Sequence, residues 1–583
     1  MSSTFLGMQI GRSGLSAARV ALDITGQNIS NADTEGYTRQ TVGTSSVPPA
    51  GNGYLINQII ASTNIGQGVS VADISQIRSA YLDEQYRNQY TDFCKSEYLT
   101  QGLTYLENLF DELDDETSLT VSISNFFDAL SDFANDPTSE AARTTVQQTA
   151  ISLSENFNLI YKEMVDLYND QNSSVRTVAS EINQIAGQIA SLNKAIADYE
   201  VSGETANDLR DKRNLLLDKL SGYADISYTA SGSMVSVSIA GETLVEGKTF
   251  NRIIITTATE EIQLICQELA ALNGDIISSG AITPEQEALR DAYIDELNAI
   301  SGKIACSVDA ADGTVTVDIN YLDNMMNAKT DTLVAGSTFT AIAGDAVREY
   351  QGAEEEYVLR LGSTRLDMET VGGGELSAHL CLRDEGGTSD SGIPYYISQL
   401  DGFARSIAET VNKCMNDGYT FPDKENGYTS INGVDMFEDF GGSYDLITAG
   451  NFAVSKAVLE SVWNLAASDA EIDLDLSDTQ SANNAVALKL ADLINTEDYS
   501  ATLDGLVSHL GVAVASSEST LDTQQSLLAS ISNQRESISG VSLDEEAVNL
   551  IKYQQTYNAC SRLITTIDEL LDRLINRTGT VGI

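Results

Sequence analysis

The sequence predicts a multidomain α+β protein that is mainly helical, with coiled-coil helices at its two ends, a helical bundle and a mixed, β-rich outer region. Three observations predict this class. Apolar residues recur at alternating steps of three and four at both ends of the chain. Helical periodicity fills most of the sequence between the ends. A segment near the middle recurs 80 residues later.

The first predicted element is a helix at the N terminus with a narrow apolar seam, interrupted once at Gly11 or Arg12. Such a seam is typical of a helix that packs against one partner helix. The same stripe also fits a helix that docks on its own globular core, so the pattern alone leaves both arrangements open. The seam consists of Phe5, Met8, Leu15, Ala18, Leu22, Thr25 and Ile29.

This helix is followed by a polar segment, Asn28 to Gln40, that has the composition of a turn. Asparagine and aspartate side chains bond backbone groups in turns, and Gly36 can adopt a positive φ without strain. The long side chains of Tyr37 and Arg39 can anchor the chain that follows. We therefore expect the N-terminal helix to end in this segment.

The sequence before the second repeat copy is predicted to be mostly helical. Two prolines and several glycines make residues 41–75 a hairpin-like or extended connection. Alternating valine and isoleucine predict a strand and turn at 234–247. Helices are expected at 76–114, 120–135, 139–170 and 173–199.

An internal repeat occupies the middle of the chain, where residues 181–239 align without a gap with residues 261–319. Each copy has the pattern of a helix, a loop, a second helix and a strand. Two copies are too few for a solenoid, so the simplest interpretation is a tandem duplication. Residues 331–371 are predicted to be rich in strands.

The C-terminal part returns to helix after an irregular or β stretch at 420–476, with helices expected from 480 to 536. A last helix is expected after Ser542, whose hydroxyl can form a capping box with Glu545. Steps of three and four again give this helix one apolar seam. Its members are Leu550, Tyr553, Tyr557, Cys560, Ile564, Ile567, Leu571 and Leu574.

These elements predict three domains, two of which combine separate segments of the chain. Residues 1–40 and 541–583 are expected to form a terminal helical inner domain. Residues 41–220 and 372–540 are expected to form the helical bundle. Residues 221–371 are expected to form the mixed α/β outer domain, which contains the second repeat copy.

Charge is distributed unevenly along the chain. The 583 residues include 33 Lys and Arg against 85 Asp and Glu, a net charge of −52, and nearly all of this excess lies within residues 41–540. A surface this acidic repels phosphate, which excludes nucleic acids and anionic membranes as partners. The nearly neutral ends suit segments that pack against copies of themselves. No signal peptide or membrane-spanning segment is expected, so export would need another route.

No constellation of catalytic or metal-binding residues is recognisable. His379 and His509 are far apart, and the six cysteines show no paired spacing, so we expect them to be buried free thiols. The acidic residues at 473–478 and the loop 423–427 carry the oxygen ligands that calcium prefers, but the loop does not match an EF-hand. We predict a protein that is not an enzyme and binds no metal or cofactor.

Several segments resemble those of a known family. The segment NISNADTEGYTRQ (28–40) resembles the signature of bacterial flagellar rod, hook and hook-associated axial proteins. The segment EEAVNLIKYQQTYNACSRLITTIDELLDRL (545–574) resembles the C-terminal end of the hook-associated members more than that of rod or hook subunits. The interior stretches 122–150, 181–196 and 372–419 also look like helical segments of these proteins.

The resemblance implies a structural subunit of the flagellum that forms the junction between hook and filament and serves flagellum assembly and motility. It implies secretion through the flagellar type III apparatus to the extracellular flagellum. The implied partners are the hook protein, the third hook-associated protein, copies of the chain itself, and a cytosolic export chaperone on the C-terminal helix. With the seams, it assigns assembly to Leu15, Leu22, Asn28, Ile29, Asn31, Gly36, Tyr37, Arg39, Leu550, Tyr553, Tyr557, Ile564, Ile567, Leu571 and Leu574.

Two alternatives stay open at this point. Another axial subunit, of the hook or distal rod, would share the signature at 28–39 but should lack the sequence at 553–574. A secreted adhesin or hydrolase carried on axial-type ends would use residues 221–371 as its working part.

Overall fold

The computed structural model describes residues 4–47, 68–111, 118–322, 328–342, 346–387, 391–422, 430–472 and 483–577. Helices dominate and the strands form small antiparallel sheets, so the predicted, mainly helical α+β class is confirmed. The chain folds into two compact units. Unit 1 comprises Met1–Phe93, Ile182–Arg252 and Gln524–Ile583, and unit 2 comprises Cys94–Glu181 and Ile253–Thr523.

The helices of the described residues are numbered α1 to α14. Helices α1 to α5 span Thr4–Ser30, Ala80–Asp111, Leu119–Asn135, Glu140–Glu200 and Asn207–Tyr223. Helices α6 to α10 span Ala258–Ser279, Pro284–Ile300, Met368–Val371, Gly374–Asp384 and Ile393–Asn416. Helices α11 to α14 span Lys456–Glu460, Ala485–Thr496, Tyr499–Ser539 and Leu543–Arg577.

The strands of the described residues fall into five small sheets. Strands β1 and β2, Gln40–Ser46 and Val69–Gln76, form a hairpin. One four-stranded sheet contains β3 to β6, at Ile226–Ser231, Met234–Ile239, Glu242–Glu246 and Thr249–Phe250. A second contains β8 to β11, at Ile304–Val308, Val315–Leu322, Ala328–Ala335 and Thr338–Phe339. Strands β7, β12 and β13 (Ile254–Thr257, Tyr357–Leu361 and Thr364–Leu366) form the fourth, and β14 and β15 (Tyr419–Thr420 and Ala466–Ser468) form the fifth.

The largest apolar core lies in unit 2 and is rich in aromatic rings. Phe157 on α4 packs against Phe403 on α10 and against Phe452, with ring centroids 5.7 and 5.2 Å apart. Phe452 in turn stacks on Phe437 at 4.5 Å. All four phenylalanines are buried, so the segment that contains Phe437 and Phe452 is fixed to the helices by packing although it has little regular structure.

One long helix replaces two predicted ones. The sequence predicts separate helices at 139–170 and 173–199, whereas α4 is a single helix of 61 residues. The residues at the predicted break include no proline or glycine, so nothing interrupts the backbone hydrogen bonds. Asn172, at this point, uses its side chain to bind a neighbouring segment, donating to the Glu355 carbonyl and accepting from the Tyr357 amide.

The two repeat copies have the same order of elements. The first consists of the last part of α4, then α5 and the sheet β3 to β6, and the second of α6, α7 and the sheet β8 to β11. Buried Asn193 exchanges two hydrogen bonds with Val235, of 2.7 and 3.1 Å. Buried Asn273 does the same with Val315, at 2.7 and 2.9 Å. The two pairs are related by the 80-residue offset, so the tandem duplication is present in the fold.

Two sequence predictions are not addressed by these elements. The acidic segments with calcium-type ligands, 473–478 and 423–427, lie outside the described residues. The division into three domains, with boundaries near residues 40, 220, 371 and 540, stays a prediction.

Candidate assembly interface

The two terminal helices, α1 and α14, pack against each other within unit 1. Three glycines on α1 make this approach close. A β-carbon at Gly7 would lie 2.9 Å from Ile567, and one at Gly11 would lie 2.9 Å from Ile564. A β-carbon at Gly14 would lie 2.8 Å from the Cys560 sulfur. Side chains on α14 therefore fill the space that side chains on α1 leave empty.

The buried positions of α1 differ from most of the predicted seam. Ala18 and Thr25 belong to that seam and are buried. Leu15, Leu22 and Ile29 are only half-buried, as are Gly7 and Gly14, which meet α14. The buried residues of α1 are Gly11, Ala17, Ala18, Ala21, Ile24, Thr25 and Asn28.

On α14 the half-buried positions coincide with the predicted apolar seam. Leu574 is on this helix, but its side chain lies outside what the structure describes. The half-buried members of the seam are Leu550, Tyr553, Tyr557, Cys560, Ile564, Ile567 and Leu571. Three of them are the residues that meet the glycines of α1.

Apolar residues outside the seam leave part of α14 uncovered. Val548, Ile551, Leu563 and Leu570 are 65, 58, 43 and 59% exposed. At about 100° per residue, Val548 and Ile551 lie on the far side of the helix from the seam, whereas Leu563 and Leu570 border it. We call these four residues the outer stripe. In the single chain α14 therefore exposes apolar side chains both beside and opposite the face that packs on α1.

Asn28 organises the exit from α1. Its side chain donates to the Gln40 carbonyl (2.9 Å) and accepts from the Gln40 amide (3.0 Å) and from the Tyr37 hydroxyl (2.9 Å). Burial, followed by the nearby carboxylates of unit 1, raises the pKa of Tyr37, so the hydroxyl stays protonated and donates. Asn31 donates to the Gln27 carbonyl and accepts from Thr34, which closes the turn.

Gly36 and Arg39 connect this exit to other parts of unit 1. Gly36 has a φ of 76°, and a β-carbon there would lie 3.1 Å from Leu215 on α5. Arg39 forms ion pairs with Glu545 (2.6 Å) and Glu546 (2.8 Å) in the first turn of α14. Burial alone would lower the pKa of Arg39, but these two partners raise it. Gly36, Tyr37 and Arg39, predicted from sequence as assembly residues, thus lie beside the start of α14.

Sequence reasoning missed the contribution of α5 to this exit. Asp208 accepts from the side chain of Gln40 (3.1 Å), and Asp211 accepts from the backbone amide of Thr38 (3.1 Å). Burial raises the pKa of Asp211. These carboxylates are about 170 residues away from the exit in sequence. The sequence signal they give is their spacing along one face of α5, and that spacing does not identify the exit segment as their partner.

The interface consists of packing contacts, hydrogen bonds and ion pairs. Within the described ranges, no group of three His, Cys, Asp or Glu side chains is placed to hold a metal ion. The cysteines are free, but the expectation that all are buried is wrong for Cys306, Cys414 and Cys560, which are partly exposed. Cys560 is half-buried because it lies in the seam against Gly14. Among the described helices, none is long and apolar enough to cross a lipid bilayer.

Comparison with family models places the chain among flagellar proteins. The model described as the helical domain of flagellar hook-associated protein FlgK matches residues 103–263 and 253–429, which together cover more than half of the chain. The model of the flagella basal body rod protein matches residues 8–38, and the model of the flagellar basal body rod FlgEFG protein C-terminal region matches residues 532–577. These terminal matches include most of α1 and of α14.

Two curated relatives match along nearly their whole length. Flagellar hook-associated protein 1 of Bacillus subtilis is 28% identical, with all of both chains covered. Flagellar hook-associated protein 1 of Salmonella typhimurium is 25% identical and covers 97% of this chain and 98% of the relative. A solved structure of the flagellar hook junction protein FlgK from Burkholderia pseudomallei aligns with a TM-score of 0.49 at 14% identity, covering 78% of this chain and 100% of that one. The chain belongs to the flagellar hook-associated protein FlgK family and is a structural component of the bacterial flagellum.

Proposed function

We propose that this protein forms the junction between the flagellar hook and the filament, and that copies of it assemble through α1 and α14. The outer stripe of α14 is the observation that carries the proposal. Its four residues are between 43 and 65% exposed, although α14 already buries another apolar face against α1. An apolar stripe of this length on an exposed helix marks a contact with another protein.

Features of α1 favour a neighbouring copy as the partner. Met8, Leu15, Leu22 and Ile29 recur every seven residues and are half-buried in the single chain. A seven-residue repeat that keeps to one side of a helix is the pattern of helices that pack side by side. The ends of the chain are also nearly neutral, unlike the strongly acidic middle, so copies that meet through them do not repel.

The exit segment has a different proposed role. Asn28, Asn31, Gly36, Tyr37 and Arg39 hold the chain where it leaves α1, rather than contacting a neighbour. By this division, the seam of α14 binds α1, the exit segment fixes the start of α14, and the outer stripe is left for the neighbouring subunit.

The family suggests the further partners and the route to the flagellum. We propose that the hook protein and the third hook-associated protein lie on either side of the assembled ring of this protein. Before export, a cytosolic chaperone would cover the outer stripe, which would otherwise promote aggregation. The chain would then pass through the flagellar type III apparatus and fold at the extracellular flagellum. Its role there is structural.

The test replaces two residues of the outer stripe, Val548→Asp with Leu570→Asp. The purified variant should fold as the parent does, because both side chains are more than half exposed, yet it should fail to bind isolated hooks. Asn558→Asp, which adds one charge at another exposed position of the same helix, is the control and should bind. Normal hook binding by the double variant would contradict the proposal. A parent protein that polymerises without hooks would favour a hook subunit instead.

A further inference from the structure

The two long C-terminal helices meet at a joint of three residues, Gly540 to Ser542. Helix α13 ends at Ser539 and α14 begins at Leu543. A β-carbon at Gly540 would lie 2.4 Å from the Glu536 carbonyl oxygen, so the bend needs glycine. Beside the joint is a cavity of about 430 Å³, lined in part by Gly36, Tyr90 and Gly540. The joint is therefore not fixed by tight packing on this side.

Arg535, in the last turns of α13, is anchored by charge. Its guanidinium lies 2.5 Å from Asp218 on α5 and 3.0 Å from Asp83 on α2. It also stacks over the Tyr86 ring, 4.5 Å from the centroid. The side chain is 20% exposed, so solvent screens these contacts less than it screens a surface ion pair.

Each aspartate that binds Arg535 has a second arginine. Asp83 pairs with Arg78 at 2.5 Å, and Asp218 pairs with Arg87 at 2.7 Å. Arg535 is thus a bridge between two ion pairs that exist without it. Breaking a buried ion pair usually unfolds a protein because one charge is left buried without a partner. Removal of Arg535 leaves an arginine on each of the two aspartates, so this cause of unfolding does not apply.

Arg39 acts on the other side of the joint. Its ion pairs with Glu545 and Glu546 fix the first turn of α14, and its backbone amide donates to the Ser539 carbonyl (3.0 Å) at the end of α13. Arg535 fixes α13 before Gly540, and Arg39 fixes α14 after it.

We propose that Arg535 is a positioning residue: together with Arg39, it sets the direction in which α14 leaves α13 and so keeps α14 against α1. The proposal concerns the single chain and does not depend on the junction function. Only its consequence for assembly, that α14 presents the outer stripe in one direction, rests on that function.

The experiment measures amide hydrogen exchange on the purified full-length variants Arg535→Met, Arg535→Lys and Arg39→Met. Arg535→Met should speed exchange across residues 536–560 on the order of tenfold, as expected when a charge-assisted hydrogen bond is lost. Arg39→Met should do the same, and Arg535→Lys should restore part of the protection. The control Arg562→Met changes an exposed arginine of α14 and should have no effect.

Three outcomes would overturn the proposal. Unchanged exchange at 536–560 in both methionine variants would mean that the ion pairs do not fix the joint. Faster exchange throughout unit 1, including α5, would mean that Arg535 stabilises the whole unit rather than positioning α14. No recovery with Arg535→Lys would mean that the charge is not what matters. Because amide exchange is measured on the free protein without hooks, a result against the positioning role of Arg535 is distinguishable from a result against the junction function.

Discussion

Gly11 on α1 lies directly against Ile564 on α14, where a β-carbon on the glycine would come within 2.9 Å of the isoleucine side chain. A larger residue at Gly11 requires a shift of the Ile564 side chain or of the helices themselves. Gly26, on the same helix, has nothing within 4 Å of the equivalent position. The two glycines therefore allow the same substitution to be compared with and without a steric conflict.

Gly11→Ala should destabilise the pairing of α1 with α14 by about 1–3 kcal/mol, the usual effect of overpacking. Amide exchange on the free protein should be faster along both helices. Gly26→Ala should leave exchange unchanged or slow it, because alanine favours helix where space allows. Equal effects of the two substitutions would contradict the close approach of the helices.

Ile564→Asp with Ile567→Asp tests the inner face of α14. Burial of these charges beside α1 costs several kcal/mol, so the two helices should separate in the free protein. Amide exchange should rise across α1 and α14 and stay unchanged at residues 120–170. Cells that carry this variant should be non-motile. A motile strain with normal filaments would show that this helix pair is not required.

Asp401 should make the stability of unit 2 depend on pH. Burial raises the pKa of Asp401 to about 6, while its hydrogen bond from the Ala449 amide (2.7 Å) opposes this shift. Between pH 4 and 6 the folded chain then binds more protons at this group than the unfolded chain, so stability falls as pH rises through this range. Above pH 6 the full destabilisation, on the order of 3 kcal/mol, is present.

Asp401→Asn keeps an acceptor for Ala449 and removes the charge, so it should stabilise unit 2 at pH 7 and have little effect at pH 4. Urea unfolding followed by fluorescence of Trp463, the single tryptophan of the chain, reports on this unit. The exposed Asp445→Asn is the control. An equal effect of Asp401→Asn at both pH values would show that the carboxyl does not titrate as argued.

Deletion of residues 258–339 should remove the second repeat copy and leave a soluble protein. This copy supplies most of one apolar core, which includes Ile262, Leu269, Val317 and Leu333 and extends to Val347 and Val358 outside the deletion. The deletion leaves β7 in place to pair with β12, and Arg360 on β12 exchanges its partners Glu261 and Glu296 for water. Loop closure changes little with length, so motility should survive. Insoluble protein would mean that the copy is part of an indivisible core.

The sequence was sufficient for features that depend on local spacing. Steps of three and four on α14 identified its half-buried residues, and the 80-residue offset identified two copies with the same fold. The three glycines of α1 that meet α14 were missed because a search for large apolar residues ignores small residues that allow a close approach. Asp218 and Arg535 are more than 300 residues apart, and no spacing rule connects them. Such long-range ion pairs become visible only when the fold brings their helices together.

Assembly through the terminal helices can be observed by electron cryo-microscopy of isolated hooks decorated with the purified protein. We expect a short layer at the hook tip in which α1 and α14 of each subunit remain paired. In that layer Val548, Ile551, Leu563 and Leu570 of one subunit should be buried against the terminal helices of the next. Subunits joined through residues 221–371, with the outer stripe facing solvent, would contradict it.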